Sequence, residues 1–206
     1  MPAKVASAQK ATRRELAMPP GRELADDEIG VLTNAGGRSS FQNVGSTRRS
    51  GAELALRWQP QPQWRALLAL TSLNARYEDS FQTCAAVPCL LPADRVTVPA
   101  GNRIAGTMAK SGFASLAWRP LPATELAAEL RYQGEMPVND RNSDFASGYG
   151  LLAVRWSKAY ALSGAWRLES LVRVDNALDR PHAASVIVND ANGRFFEPGA
   201  PRSVLL

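Results

Sequence analysis

Apolar and polar side chains alternate with a period of two along several stretches of this chain. Residues 51–58 (GAELALRW) set Ala52, Leu54, Leu56 and Trp58 on one side against Glu53, Ala55 and Arg57 on the other. Residues 124–133 (TELAAELRYQ) divide into Leu126, Ala128, Leu130 and Tyr132 against Glu125, Ala127, Glu129, Arg131 and Gln133. Residues 164–175 (GAWRLESLVRVD) give Trp166, Leu168, Val172 and Val174 against Arg167, Glu169, Arg173 and Asp175. Successive side chains of a β-strand point to opposite faces, so each stretch reads as a strand with one apolar and one charged face. A helix competes over 124–133, where Ala, Glu and Leu favour it and Leu126 and Leu130 stand at helical spacing. The period of the neighbouring stretches decides for a strand.

The same patterning predicts strands at 28–33, 41–58, 63–77, 111–118, 124–134, 147–157 and 164–175, a brief one at 185–188 and a last one entered at 202–206. The segment 63–77 is the least regular, with Leu67, Leu68, Leu70 and Leu73 distributed over both faces. Short connections at 59–62, 119–123 and 158–163 alternate with long irregular ones at 78–110, 135–146 and 176–201. Trp58, Trp64, Trp118, Trp156 and Trp166 all lie beside short connections, and Tyr77, Tyr132 and Tyr149 lie beside long ones. Indole rings favour the membrane boundary, and short turns at one end with long loops at the other are the polarity of a transmembrane barrel. A soluble sandwich has no physical reason to gather tryptophan at one end of its strands. The expected fold is therefore all-β: a fragment of an antiparallel transmembrane β-barrel of about eight strands, the last one truncated.

Composition adds limits. No run approaches the ~18 apolar residues of a spanning helix; the longest uncharged stretch, 80–93, is broken by Pro88 and Pro92. Residues 1–21 lack the apolar core of a secretory signal, which taken alone points to the cytoplasm. The net charge is +5, and the start supplies most of it through Lys4, Lys10, Arg13, Arg14 and Arg22 against Glu15. Residues 1–25 are expected to form a basic, disordered leader ahead of a partial barrel domain over 26–206. No aromatic residue lies among the leader's cations, so the stacking half of a nucleic-acid site is missing and no nucleic-acid partner is expected.

Candidate chemistry is sparse. Cys84 and Cys89 bracket a short loop (CAAVPC), suited to a local disulfide in an oxidising compartment. A zinc site needs two more ligands, and His182, the single histidine, is distant in sequence. Residues 148–153 (GYGLLA) superficially match a dinucleotide fingerprint, but an alternating segment follows where that fingerprint needs a helix. Glu125 and Glu129 are ~13 Å apart along a strand, too far to work as a carboxylate pair. His182 has no nucleophile motif to activate. Asp190-Ala191-Asn192-Gly193 lacks the remaining ligands of a calcium loop and reads as a turn. No catalytic residue, metal or cofactor is expected.

Four segments carry a resemblance. Residues 41–54 (FQNVGSTRRSGAEL) look like the aromatic-x-Asn…Gly-x-Glu-Leu strand of TonB-dependent outer-membrane receptors. Residues 172–180 (VRVDNALDR) resemble that family's Asn-Leu-Phe-Asp signature, and 196–203 (FEPGAPRS) its Pro-Gly-Arg-Ser/Thr approach to the final strand. Residues 99–108 (PAGNRIAGTM) are similar to its Ile-Pro-Gly-x-Pro loop, with Ala105 and Met108 in place of the two prolines. Ala177 stands where the family usually has Leu, His182 where a Tyr is common, and the chain stops at Leu206 where the family continues to a terminal aromatic residue. The resemblance covers 26–206.

It implies the C-terminal strands of a plugged barrel of about 22 strands in the cell outer membrane. Its function would be energised uptake of a large scarce ligand such as a siderophore, a metal chelate or a cofactor, in which this portion is not competent alone. Outer-membrane lipid, a plug domain and the TonB complex would be its partners, and the transported ligand stays unidentified. Glu53, Arg57, Glu125, Glu129, Arg131, Arg167, Glu169 and Arg173 would face the lumen and plug. Trp58, Trp64, Trp118, Trp156 and Trp166 would form the aromatic girdle. The alternatives are a soluble β-sandwich or barrel that binds a ligand or partner, and an independent small outer-membrane barrel acting as an adhesin or enzyme.

Overall fold

The alternating stretches become one antiparallel sheet. The structure, a computed structural model, describes residues 13–17, 20–84, 89 and 92–206. In chain order its strands are β1 (Arg13–Ala17), β2 (Pro20–Ala25), β3 (Ile29–Ala35), β4 (Arg38–Asn43), β5 (Thr47–Gln59) and β6 (Trp64–Tyr77). Then follow β7 (Phe81–Cys84), β8 (Arg95–Val98), β9 (Lys110–Trp118), β10 (Thr124–Gln133), β11 (Met136–Pro137) and β12 (Phe145–Ala146). The last are β13 (Tyr149–Ala161), β14 (Arg167–Asp175), β15 (Ala183–Val186), β16 (Phe196–Pro198) and β17 (Ser203–Leu205). Nine of them form the main sheet in the order β1-β5-β6-β9-β10-β13-β14-β17, with β2 pairing β5 next to β1.

The register fixes which side chains share a face. One row across the strands reads Arg57↔Leu67, Leu67↔Ser115, Ser115↔Glu129 and Glu129↔Ala153. Another reads Trp64↔Trp118, Trp118↔Leu126, Leu126↔Trp156 and Trp156↔Val172. Residues directly opposed across a ladder point to the same side. From β5 to β17, even-numbered positions therefore lie on one face and odd-numbered positions on the other. The even face is apolar and largely uncovered: Leu70 is 44% exposed, Leu116 45% and Leu130 48%. A sandwich would bury such a face under a second sheet, so the soluble-sandwich alternative finds no support in this architecture.

Three sequence expectations change. Residues 13–17 and 20–25 belong to strands on β5 rather than to a disordered leader, so the sheet begins before residue 26; residues 1–12 lie outside the described residues. The strand expected over 41–58 is interrupted at Gly45, whose φ of 75° takes the chain from β4 into β5. Strand β13 runs on to Ala161, which moves the short turn to 162–166 and leaves Trp166 outside β14 and 77% exposed.

The connections expected to be irregular also carry structure. Each of the three contains a two-stranded hairpin, β7–β8, β11–β12 and β15–β16, and a fourth hairpin, β3–β4, fills a further long connection from β2 to β5. The best-buried apolar cluster sits among them, with Val44 1% exposed, Tyr77 3% and Val98 0%, and Phe81 and Ile104 packed against it. The protein thus has an open single-layer wall and, at one end, a packed cap.

Candidate functional site

All eight charged residues singled out in the sequence fall on the odd face of the wall. Glu125, whose side chain is only 12% exposed, accepts from three arginines: Arg155 at 2.5 Å, Arg119 at 2.9 Å and Arg65 at 3.2 Å. Arg173 bridges Glu129 and Asp175, both at 2.9 Å. Arg57 is also engaged, while Glu53, Arg131, Arg167 and Glu169 stand exposed on the same face. Arg65 and Arg119 are more than half exposed, so each of their pairs contributes about 0–1 kcal/mol, and together the three arginines tie β6, β10, β13 and the β9–β10 turn across the charged face. Arg65, Arg119, Arg155 and Asp175 are further members that the candidate set from the sequence did not include. For those within strands, position on the odd face was the available signal.

On the even face, Trp64 stacks on Trp118 with centroids 5.5 Å apart and planes inclined by 15°. Trp58, Trp118 and Trp156 each lie beyond the apolar residues of their own strand, Leu54 and Leu56 on β5, Leu116 on β9 and Val154 on β13, and Leu126 stands in the tryptophan row between Trp118 and Trp156. Residues of β6, β9, β10 and β13 carry no charge on this face between Trp64 and Leu70.

The cap is organised around a buried carboxylate. Asp140, 2% exposed, accepts from the Tyr77 hydroxyl at 2.6 Å and from Asn189 Nδ2 at 2.7 Å. Its backbone N–H donates to Asn189 Oδ1 at 3.1 Å, and its carbonyl accepts from Asn102 Nδ2 at 2.8 Å. Asn189 Nδ2 also donates to the Val31 carbonyl at 2.6 Å, and Asn34 Nδ2 to the Val188 carbonyl at 2.6 Å. One knot therefore joins the β3–β4 hairpin, the β6–β9 connection, the β10–β13 connection and the β14–β17 connection. Beside it opens a polar cavity of about 390 Å³ lined by Thr83, Asn139, Arg141, Asp144, Asp190 and Phe195 among others. Cys84 and Cys89 are joined by a disulfide in the structure, and Cys84 lines the same cavity.

The remaining sequence motifs resolve into structure. Strand β13 starts at Tyr149, so the glycine-rich stretch offers no helix N-terminus to a phosphate. Asp190 accepts from the N–H groups of Asn192 and Arg194 and closes a turn. His182 packs on Tyr149, centroids 4.6 Å apart, with Nδ1 3.1 Å from the Arg180 carbonyl. Among the described residues no group of three His, Cys, Asp or Glu is placed to hold a metal ion.

Burial raises the Asp140 carboxyl above the ordinary aspartate range, and hydrogen bonds from Tyr77 and Asn189 offset only part of that. Glu28 moves the other way: the Arg49 guanidinium bound to it holds its carboxyl below the ordinary range. Raised in the folded state, Asp140 stabilises the cap below the unfolded aspartate value, and that contribution is lost as pH rises through its folded value. Glu28 stabilises above the unfolded glutamate value and loses its contribution as pH falls through its own lowered one. Cap stability is expected to decline as pH rises above the unfolded aspartate value, by at most about 1.4 kcal/mol per pH unit for this single proton. Amide hydrogen exchange at 138–142 checks this. Asp140→Asn is expected to shift the whole curve and remove its slope; an unchanged slope would remove Asp140 as the cause.

Comparison with known proteins places this geometry. A family model described as TonB dependent receptor-like, beta-barrel, matches residues 23–177. Among solved structures, the siderophore receptor PiuA from Acinetobacter baumannii superposes with a TM-score of 0.69 at 15% identity, over 93% of this chain and 25% of that one. The ferric-catecholate import receptor Fiu from K12 E. coli, in its closed form, gives a TM-score of 0.64 at 18% identity, over 93% and 24%. The copper transporter OprC gives 0.61 at 15% identity, over 96% and 28%. At such identities the likeness establishes the fold. This chain spans about a quarter of the length of these solved proteins.

Proposed function

Because this chain belongs to the family of TonB-dependent receptor-like β-barrels, we propose that its sheet is a sector of the wall of an outer-membrane receptor for energised uptake of a large, scarce ligand. The observation that carries this is the register. It sets an uncharged belt ending in tryptophans on one face and an arginine–carboxylate lattice on the other. The even face meets lipid, and the odd face lines the lumen against a plug domain. The cap lies on the extracellular side, where its polar cavity faces arriving ligand. Siderophores, metal chelates and related cofactors are the ligand class; the names of PiuA, Fiu and OprC support that class for proteins of this fold.

The main sheet has open edges at β1 and β2 and at β17 among the described residues. Unpaired edge groups in hydrocarbon cost several kcal/mol each. The sector therefore works only with further strands beside it, and uptake belongs to the closed receptor.

Cysteine scanning tests the wall reading in outer membranes of cells producing the protein from its own gene. Ser115→Cys, on the odd face, is expected to react with a membrane-impermeant maleimide once the outer membrane is permeabilised. Ala114→Cys, on the even face, is expected to stay unlabelled by that reagent and to react with a lipid-soluble maleimide. Equal aqueous labelling of both would sink the lipid-and-lumen assignment.

A further inference from the structure

The even face stops being apolar at the cap end, and what replaces it is basic. Arg48 and Arg76 are directly opposed across the β5–β6 ladder. Arg22 faces Ser50, which sets it diagonal to Arg48, and Lys110 faces Ser72 on the neighbouring pair. Directly opposed like charges destabilise a ladder. Among the described residues only Arg48 has a carboxylate here, Glu78 at 2.9 Å. Arg76 donates to neutral acceptors, Asn74 Oδ1 at 2.8 Å and the Gly101 carbonyl at 2.6 Å. Nearby Arg103 is already matched by Glu135 at 3.2 Å. Arg22 and Lys110 are both exposed, which leaves the strip with a surplus of positive charge.

Height decides what meets it. Along β5, Arg48 stands ten residues from Trp58, ~34 Å of strand, and a strand tilt of about 40° converts this to ~25 Å of membrane height. That equals the usual thickness of a barrel's apolar band. The strip thus lies one band above the tryptophans, at the level of the outer leaflet's headgroups, where an outward Arg or Lys costs only about 0–1 kcal/mol.

We infer that Arg22, Arg48, Arg76 and Lys110 form a docking strip for the phosphorylated headgroup of an outer-leaflet lipid, whose acyl chains lie against the even face. A phosphomonoester brings about −1.5 to −2 charges and three acceptor oxygens, which suits adjacent guanidinium forks better than a single carboxylate does. Lys110 sits four residues of strand, ~13 Å, from the Arg76 row, room for a second phosphate on a disaccharide-sized headgroup. The inference rests on the wall reading above.

The test uses the protein purified from outer membranes in zwitterionic detergent, with a bisphosphorylated diglucosamine lipid as probe and its dephosphorylated form as control. Lipid retained through gel filtration is measured by mass spectrometry. The triple variant R22Q/R76Q/K110Q is expected to lose about tenfold or more in affinity for the phosphorylated lipid, with no change toward the control lipid. Lys158→Gln, on the same face at the tryptophan end, is expected to behave as the parent. Lys110→Gln alone, expected to lose part of the affinity, guards against a misfolded triple variant, as does its β-sheet circular dichroism. Equal retention of the two lipids, full retention by the variants, or displacement by millimolar inorganic phosphate alone would overturn the site. Tryptophan emission separates the two readings. Water-like emission in micelles overturns the wall and the strip together; blue-shifted emission with unselective lipid retention overturns the strip alone.

Discussion

Ala114→Arg is expected to prevent stable assembly of the wall, whereas Ser115→Arg, at the adjacent position, is expected to leave it intact. Ala114 lies in the middle of the even face, halfway along β9 between Lys110 and Trp118, opposite Leu68 on one side and Leu130 on the other. An arginine on the lipid face at the bilayer midplane costs about 2–4 kcal/mol, a large share of a typical folding stability. Ser115 lies on the odd face opposite Glu129, so an arginine there gains a carboxylate neighbour. The readout is the fraction of heat-modifiable, protease-resistant protein in outer membranes. A drop of tenfold or more for Ala114→Arg with little change for Ser115→Arg is the expected result. Equal loss from both, or from neither, would mean that the two faces meet the same medium.

Removal of the cap's central carboxylate is the second large effect. Asp140→Ala takes away the acceptor of both the Tyr77 hydroxyl and Asn189 Nδ2, in a place where Tyr77 is 3% exposed. A buried donor left without a partner costs about 1–3 kcal/mol, and two donors are stranded at once. The four long connections should then open together, because each contributes to the knot through Val31 and Asn34, Tyr77 and Asn102, Asp140, or Asn189. Limited proteolysis should show faster cleavage in all of them with the wall strands still protected. Cleavage confined to 135–146 would show that the connections hold independently.

The wall was legible in the sequence because it has a face of each kind. Strands β5, β9, β10, β13 and β14 were found within a few residues, and the helix-prone stretch 124–133 is indeed a strand, its Ala and Glu serving the alternation. Even the ambiguous segment 63–77 forms β6, where Leu68 and Leu70 share the even face and Leu67 and Leu73 the odd one. The charged candidates were legible for the same reason. The cap was not, since no local period marks it: Val44, Val98 and Val138 are fully buried by partners far away in sequence. Asn189, for example, finds its acceptor at Val31, 158 residues earlier. A polar run such as NDRNSD reads as solvated loop, although Asn139 and Asp140 within it are 4% and 2% exposed. The strands before residue 26 were missed because a basic composition suggested a free tail, while the partner that orders them, β5, follows later in the chain.

The reach of Asn189 also sets a timetable. Bonds that span most of the chain carry a large loop-closure cost, and they form slowly after nearer contacts have been made. Wall hairpins such as β5–β6 and β9–β10 join neighbours across short turns and need nothing further from the chain. The cap has to wait until the β14–β17 connection has been synthesised, because Asn189 supplies bonds to both Asp140 and Val31. Its completion therefore reports that the late part of the chain has arrived, and a polypeptide halted before residue 189 would carry strands able to pair but an unlocked outer end.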